Sequence, residues 1–351
     1  MEKLKDIEKK MKAPINPNDS DFKKLDFTWL HEPGLHFGFD TEEMAIAFVV
    51  RIRSLVNISG DEIGPILESM SIIMDWTFAV NEIKVNAASQ PVHGINATKS
   101  TQGNGPEGEM FCAGWRNSFG AGEQFAAYAA KDSDSCRVEY ARLRPKLPVV
   151  GKAFMEGFSS LYPGGYQSMR ETALSEGTPS FADTDFVDKP GAKSLVPFGI
   201  SLAITREDFS NYLHTDRDYT ADAYGWWWPA QWDNQSKRYV FNEKVSHQDI
   251  KGGCFIWGDY GFGVDFERCE GLVEIYWRGK TDYHGTLKSV SKSGATRFGT
   301  STQLTEKGVR GFQSWLNNGK LRTGIKTFQD RMNPPAKKGK ETERKGTGKS
   351  T

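Results

Sequence analysis

Between residues 196 and 304 the chain is cut into short runs of aromatic and β-branched residues separated by glycine and polar turns. No other sequence feature constrains the fold as strongly. The runs cover 198–204, 224–229, 237–242, 254–257, 272–277 and 300–304. Each is short for a helix, and their regular spacing predicts an antiparallel barrel or jelly roll rather than a doubly wound parallel sheet. Trp226, Trp227 and Trp228 fall in one run. Successive strand residues point to opposite faces, so the three cannot all face inward, and packing under a helix is the expectation over contact with nucleic acid.

The segments around this region read as its support, which makes the expected fold class α+β, a jelly-roll core flanked by helices. Residues 1–24 are charged and proline-bearing and are expected to be a flexible arm. Residues 25–332 form the expected single domain, with helical support over 25–195, the β core over about 195–304 and C-terminal helices over 305–332. Asp40 and Glu43 have capping-box spacing, and Met44, Ala47, Phe48, Ile52, Leu55 and Val56 then recur at helical intervals, predicting an amphipathic helix up to Gly60. A second helix is expected from about Asp61–Pro65 onward, and a third over 149–161 that stops at Pro163-Gly164-Gly165. Residues 91–125 read as a long polar loop enclosing Gly114-Trp115-Arg116, with Arg116 either an anion contact or a surface arginine stacked on Trp115. Residues 333–351 carry Lys337, Lys338, Lys340, Arg344, Lys345 and Lys349 against Glu341 and Glu343, the pattern of a disordered basic tail or nuclear import signal.

Composition excludes more than it assigns. With 45 basic and 45 acidic residues the net charge is zero, so affinity for nucleic acid must come from local patches. Cys112, Cys136, Cys254 and Cys269 show no C-x-x-C pairing, which excludes a zinc ribbon or redox dithiol and fits a reducing compartment. The charged first dozen residues exclude a secretory signal, and Glu62, Glu68 and Asp75 interrupt the most apolar region, so no membrane span is expected. An intracellular protein is expected, a monomer by default.

The chemistry rests on few residues. Among the 6 histidines, His214 and His247 are each followed two positions on by an aspartate, Asp216 and Asp249. Residues i and i+2 of a strand share a face, so either pair can aim at one metal ion. The flanks favour the first pair, because His247-Gln248-Asp249 runs straight into the turn Lys251-Gly252-Gly253. His284, after the run at 272–277, then supplies a third ligand across the barrel mouth. Two imidazoles and one carboxylate leave half of an octahedral iron open. Arg297 on the following run offers a fork for a dicarboxylate, and Thr300 or Ser301 a hydroxyl for the same group.

These motifs together carry a resemblance. His214-Thr215-Asp216 with Asp218, Tyr224-Gly225-Trp226-Trp227, Gly252-Gly253, Tyr260-Gly261, Val264-Asp265-Phe266, the stretch 271–274, His284-Gly285-Thr286 and Arg297-Phe298-Gly299-Thr300-Ser301 resemble the compact TET/JBP-type (Tet-like) 2-oxoglutarate and Fe(II)-dependent dioxygenases abundant in fungi. The likeness spans about residues 195–303, with Gly114-Trp115-Arg116 upstream. It implies a double-stranded β-helix in which His214, Asp216 and His284 hold iron and act in catalysis and Arg297 pairs the distal carboxylate of 2-oxoglutarate, with O2 as the oxidant; Ser301 is the hydroxyl expected to bind the same cosubstrate. The implied substrate is a methylated base in DNA or RNA, chiefly 5-methylcytosine, flipped into the pocket and oxidised to hydroxymethyl, with a nuclear location and a role in DNA demethylation following from that. Asp218 and Tyr219 are the candidates for base recognition. The alternatives are a hydroxylase of the same fold acting on another methylated base, a protein or a small molecule, and a cupin-like metal-binding module without turnover. The four scattered cysteines cannot build the zinc region of the animal enzymes.

Overall fold

The computed structural model describes residues 2–11, 13–83, 107–118, 120, 122–184, 186, 194, 196–242, 244–317 and 325–332. The basic tail at 333–351 and most of the polar stretch before Gly108 lie outside the described residues.

In chain order, helix α1 (Glu2–Met11) is followed by strands β1 (Thr28–Leu30), β2 (Gly34–Asp40) and β3 (Ala45–Arg53). Helix α2 (Gly60–Ala79) leads to β4 (Glu109–Asn117) and β5 (Phe125–Ala127), and then to α3 (Asp134–Leu143), α4 (Leu147–Leu161) and α5 (Pro163–Glu176). The β-rich part holds β6 (Ser201–Arg206), β7 (Asp222–Asp233), β8 (Arg238–Val240), β9 (Ile250–Gly252), β10 (Phe255–Trp257), β11 (Phe262–Val264), β12 (Leu272–Arg278), β13 (His284–Thr286), β14 (Ser289–Ser291) and β15 (Ala295–Gln303). The chain closes with α6 (Glu306–Asn317), β16 (Ile325–Lys326) and α7 (Phe328–Met332).

A large sheet of 10 strands runs in the order β16-β5-β4-β6-β15-β7-β12-β3-β2, with β8 added on β7. A small sheet, β1-β11-β10-β13, faces it, and β9 and β14 form a separate ribbon. Between the two sheets lie Phe48, Trp227, Phe255, Trp257, Phe266, Val273 and Trp277, and this sandwich is the jelly-roll core. The opposite face of the large sheet is covered by α2, α4, α5 and α6 over a larger apolar layer that includes Trp76, Phe154, Phe158, Trp226, Trp228 and Phe298. The tryptophan run divides by strand alternation. Trp226 stacks on Phe154 with centroids 4.3 Å apart, and Trp228 stacks on Phe298 at 5.4 Å, both under helices, while Trp227 points into the sandwich. All three are buried, so their contribution is packing, roughly 2–3 kcal/mol each by area.

Several expectations need correction. Residues 40–56 are a hairpin and strand, not a helix: β3 lies between β2 and β12, and the capping-box aspartate Asp40 accepts the amides of Glu42 and Glu43 in the hairpin turn. The run Ile46-Ala47-Phe48-Val49-Val50 is continuously apolar, with Ile46, Val49 and Val50 β-branched, the pattern of a strand buried on both faces, and that outweighs a fortuitous 3.6-residue recurrence. Residues 109–117 are likewise a strand inside the expected loop; Arg116 lies 5.6 Å over Tyr128, while Trp115 is buried against Phe125. Pro163-Gly164-Gly165 begins α5 rather than ending order, since proline is preorganised for a first helical turn. The N-terminal arm is also ordered: α1 buries Leu4, Ile7 and Glu8. The support region therefore supplies strands to both sheets as well as helices. Helix α4 over 147–161 and α2 agree with the sequence.

One buried charge cluster locks these layers together. Glu274 on β12 is fully buried, accepts from Arg51 at 2.6 and 2.7 Å and from the Tyr224 hydroxyl at 2.7 Å, and forms an ion pair with Arg53 at 2.9 Å. Arg51 also donates to Ser160 and to the Gly157 carbonyl, fixing α4 over the strand pair β3 and β12.

Candidate active site

His214 lies in the segment between β6 and β7, where its backbone pairs with His284 of β13 through N–H to carbonyl bonds of 2.9 and 3.0 Å in each direction. That pairing brings together two residues 70 positions apart in the chain and sets the rings 4.6 Å apart. Asp216 follows with its amide on the Gly279 carbonyl at the end of β12. One ligand atom from each of His214, Asp216 and His284 falls within 4.8 Å of the others, the one such group of metal-ligating side chains among the described residues.

The hydrogen bonds decide which ring nitrogens face the shared point. His214 Nδ1 is 2.8 Å from the Tyr212 carbonyl and His284 Nδ1 is 2.9 Å from the Asp282 carbonyl. A carbonyl can only accept, so each Nδ1 carries the proton and each Nε2 of the neutral ring presents a lone pair. Those Nε2 atoms lie 3.4 and 3.3 Å from the two oxygens of Asp216. Burial pushes the Asp216 carboxyl up, but the two imidazoles outweigh it and hold it well below the usual carboxylate range. The His214 imidazole is lowered by burial yet ends above its ordinary value because of Asp216. Two imidazole nitrogens and a carboxylate that converge on one largely dry point are a donor set that fits Fe(II). Gln303, at the end of β15, donates its amide to Asp216 Oδ2 at 2.6 Å and holds the carboxylate from behind.

The second pole of the site is Arg297, on the same strand as Gln303. Alternation without a bulge places Arg297, Gly299, Ser301 and Gln303 on one face of β15. The guanidinium is buried, lies 4.9 Å over the Phe266 ring, and makes no ion pair with a carboxylate among the described residues. Instead Nε donates to His247 Nδ1 at 3.1 Å, Nη1 to the Gly252 carbonyl at 3.0 Å and Nη2 to the Ile250 carbonyl at 3.1 Å. Burial lowers the group to about 10, so it remains cationic at neutral pH. It borders a small cavity with Thr205, Trp227, Gly253, Thr286, Ser289 and Gly299. Asp208 lines the same cavity but is held by the hydroxyls of Ser289 and Ser291, so the buried, rigidly aimed guanidinium has no direct carboxylate partner among the described residues and is suited to an incoming one. Thr286 stands two residues beyond His284, so one short strand joins the cavity to the metal pole.

Gly253 makes this arrangement possible. Its φ is +73°, and a Cβ there would stand 2.5 Å from Arg297 Nη1. Only glycine tolerates both the backbone and the approach.

The structure separates the remaining sequence candidates. His247 and Asp249, the competing His-x-Asp, are engaged elsewhere. His247 accepts from Arg297 and contacts the Gly271 carbonyl through Nε2, while Asp249 caps a turn with Ser246 and pairs with Lys292 at 2.6 Å. Thr300 exchanges hydrogen bonds with the Trp226 backbone on the opposite face of β15. Ser301 shares the Arg297 face but lies four residues along the strand, roughly 13 Å away, toward the metal pole. It does not line the cavity that Arg297 borders, whose hydroxyls are those of Thr205, Thr286 and Ser289. Asp218 is buried next to Asp216, and its Oδ2 has no hydrogen-bond partner among the described residues. Burial and then the charge of Asp216 raise its carboxyl well above the ordinary range. The Tyr219 hydroxyl donates to Glu176 at 2.9 Å. The support that His247 and Gly253 give Arg297 is not visible in the sequence, and neither is named there for that role; Gln303 is absent from the sequence reading although it falls on the Arg297 face at i+6.

Comparison with known proteins agrees with this chemistry. No curated protein matches the chain. Among solved structures, "NgTET1 in complex with 5mC DNA" is 11% identical, covering 87% of this chain and 89% of that one with a TM-score of 0.40, a likeness on which nothing below depends. The family model described as the Tet-like 2OG-Fe(II) oxygenase superfamily matches residues 81–289, more than half of the chain, and spans His214, Asp216 and His284. The chain therefore belongs to the Tet-like 2OG-Fe(II) oxygenase superfamily and is a dioxygenase dependent on 2-oxoglutarate, Fe(II) and O2.

Proposed function

We propose that this dioxygenase oxidises the methyl group of a flipped 5-methylpyrimidine, 5-methylcytosine in DNA first, to hydroxymethyl, and that it acts in the nucleus in DNA demethylation. Residues 25–332, together with α1, are read as one catalytic domain. Bound iron, with 2-oxoglutarate and O2, supplies the oxidising power for the methyl C–H bond. His214 and His284 hold the metal through Nε2, with the Nδ1 protons kept on backbone carbonyls, and Asp216 supplies the anionic ligand. Arg297 receives the distal carboxylate of 2-oxoglutarate, and Ser301 lines the strand between that clamp and the metal. A methyl group inside a duplex cannot reach a buried metal, so the base must leave the stack. Asp218, whose unpartnered oxygen lies beside the metal ligand Asp216, is the first candidate to meet it, and Tyr219 is the second.

The observation that carries the reading is the pairing of a metal-ready triad with a buried arginine that makes no direct ion pair among the described residues. A plain metal-binding module has no need of such a clamp. Membership of the Tet-like family supports a methylated base as the substrate. The competing reading, a protein or small-molecule hydroxylase, is favoured by the net charge of zero. The test is incubation of the Fe(II)-loaded protein and 2-oxoglutarate with methylated and unmethylated duplexes, with mass spectrometry of the bases. Oxidised 5-methylcytosine with stoichiometric succinate is the expected result. Succinate release without any oxidised base would transfer the activity to another substrate.

A further inference from the structure

Helix α1 lies against the segments that carry both histidine ligands. Leu4 and Ile7 pack in one cluster with Leu213, Cys254, Ile256 and Leu287, and Lys5 lies 4.8 Å over the ring of Tyr283, next to His284. Further along, the Ile15 carbonyl accepts the Lys288 amide at 2.9 Å. Within this contact Glu8 is only 1% exposed. Its Oε1 accepts the Leu213 backbone N–H at 2.8 Å, across 205 positions of sequence. Its Oε2 is buried without a hydrogen-bond partner among the described residues.

Leu213 is the residue that links His214 to its tautomer-fixing carbonyl. On one side Tyr212 supplies the carbonyl that holds His214 Nδ1, and on the other His214 pairs its backbone with His284. We propose that α1 is a clasp for the metal centre, in which the Glu8 carboxylate is a positioning residue that fixes the Tyr212–Leu213 peptide and thereby the direction of His214 Nε2. The inference rests on the reading of His214, Asp216 and His284 as the iron ligands. Its physical basis is that a buried N–H left without an acceptor is strongly unfavourable, and Glu8 Oε1 is the acceptor of this one. Without Glu8 the peptide must turn toward water to satisfy that donor, and the Tyr212 carbonyl turns with it. The whole clasp lies before residue 81, outside the part of the chain that the family model matches.

The test uses the full chain, with Co(II) as the probe of the site. In Glu8→Ala, amide hydrogen exchange at residues 211–214 should rise in the metal-free protein, and the Co(II) dissociation constant should increase about tenfold, the scale typical of groups that orient a metal ligand. Glu8→Gln, whose Oε1 accepts the same N–H, should restore the protection and most of the affinity. If Glu8→Ala does not fold, Ile7→Ala, which loosens α1 and leaves the carboxylate in place, should move both readouts in the same direction by less. Wild-type exchange and wild-type Co(II) affinity in Glu8→Ala, or in Ile7→Ala where that variant replaces it, would overturn the clasp. His214→Ala is the reference that separates the two claims. Loss of Co(II) binding there, with none in the clasp variant, refutes the clasp alone, whereas unchanged Co(II) binding in His214→Ala refutes the ligand assignment.

Discussion

Replacing Gly253 by alanine tests the clamp without touching its charge. The new Cβ would stand 2.5 Å from Arg297 Nη1, so the guanidinium has to retreat by about 0.9 Å to reach ordinary contact. The Nη1 bond to the Gly252 carbonyl, now 3.0 Å, does not survive that shift. Hydrogen bonds from charged groups contribute about 1.5–3 kcal/mol, and the same displacement misaims the fork at its carboxylate partner. A loss of about 1.4 kcal/mol is already tenfold in affinity, so KM for 2-oxoglutarate should rise at least about tenfold. The left-handed backbone at φ +73° adds a folding penalty of roughly 1–2 kcal/mol, seen as a Tm lower by a few degrees. Because the metal pole is untouched, the Co(II) dissociation constant should stay within about twofold of wild type. The assay is succinate release against 2-oxoglutarate concentration at fixed iron and substrate. An unchanged KM in a protein that shows the expected loss of Tm would mean that Arg297 is not the cosubstrate clamp.

Further predictions concern the neighbouring groups. Gln303→Leu removes the amide from Asp216 Oδ2 and should weaken Co(II) binding by about tenfold while the fold persists by circular dichroism; wild-type affinity would show that the carboxylate holds itself. Asp216→Ala should abolish turnover and metal binding, whereas Asp249→Ala, which breaks only the Lys292 pair and a turn cap, should retain both; the reverse result would mean the other His-x-Asp is the ligand pair. The third prediction is a pH dependence. Burial, and then the adjacent Arg297, lower His247 to about 3. An unfolded histidine titrates near about 6.5, so below that pH the unfolded state binds the extra proton and the folded state does not. This contribution to stability is complete above about 6.5 and is lost as pH falls toward 3, by up to roughly 1.4 kcal/mol per pH unit. Thermal melts between pH 7 and 5 should show that slope, and His247→Gln should flatten it; an unaltered slope in the variant would assign the titration to another group.

How much of this was legible from sequence depended on whether the deciding interaction was local. Strand alternation is a property of a few consecutive residues, so the runs at 224–229 and 272–277 appear as β7 and β12, and the opposed directions of Trp226 and Trp227 follow from it. The same local rule places Arg297 and Gln303 on one face of β15. Residues 40–56 defeated it because their apolar spacing fits a helix and a doubly buried strand equally well. Pairing with β12, more than 200 positions later, decided between the two.

The sequence by itself thus determined the residue types of an oxygenase site and the β-rich region that carries them. Only the tertiary structure decided which His-x-Asp meets His284, because His214 and His284 come together by backbone pairing across the barrel mouth. It also turned His247 into the support of Arg297 and ordered a charged N-terminal segment into a helix behind the metal centre. The physical reason is common to all three. A buried donor, acceptor or charge must find a partner, and in this chain those partners lie 50, 70 and 205 residues away, beyond the reach of any local pattern.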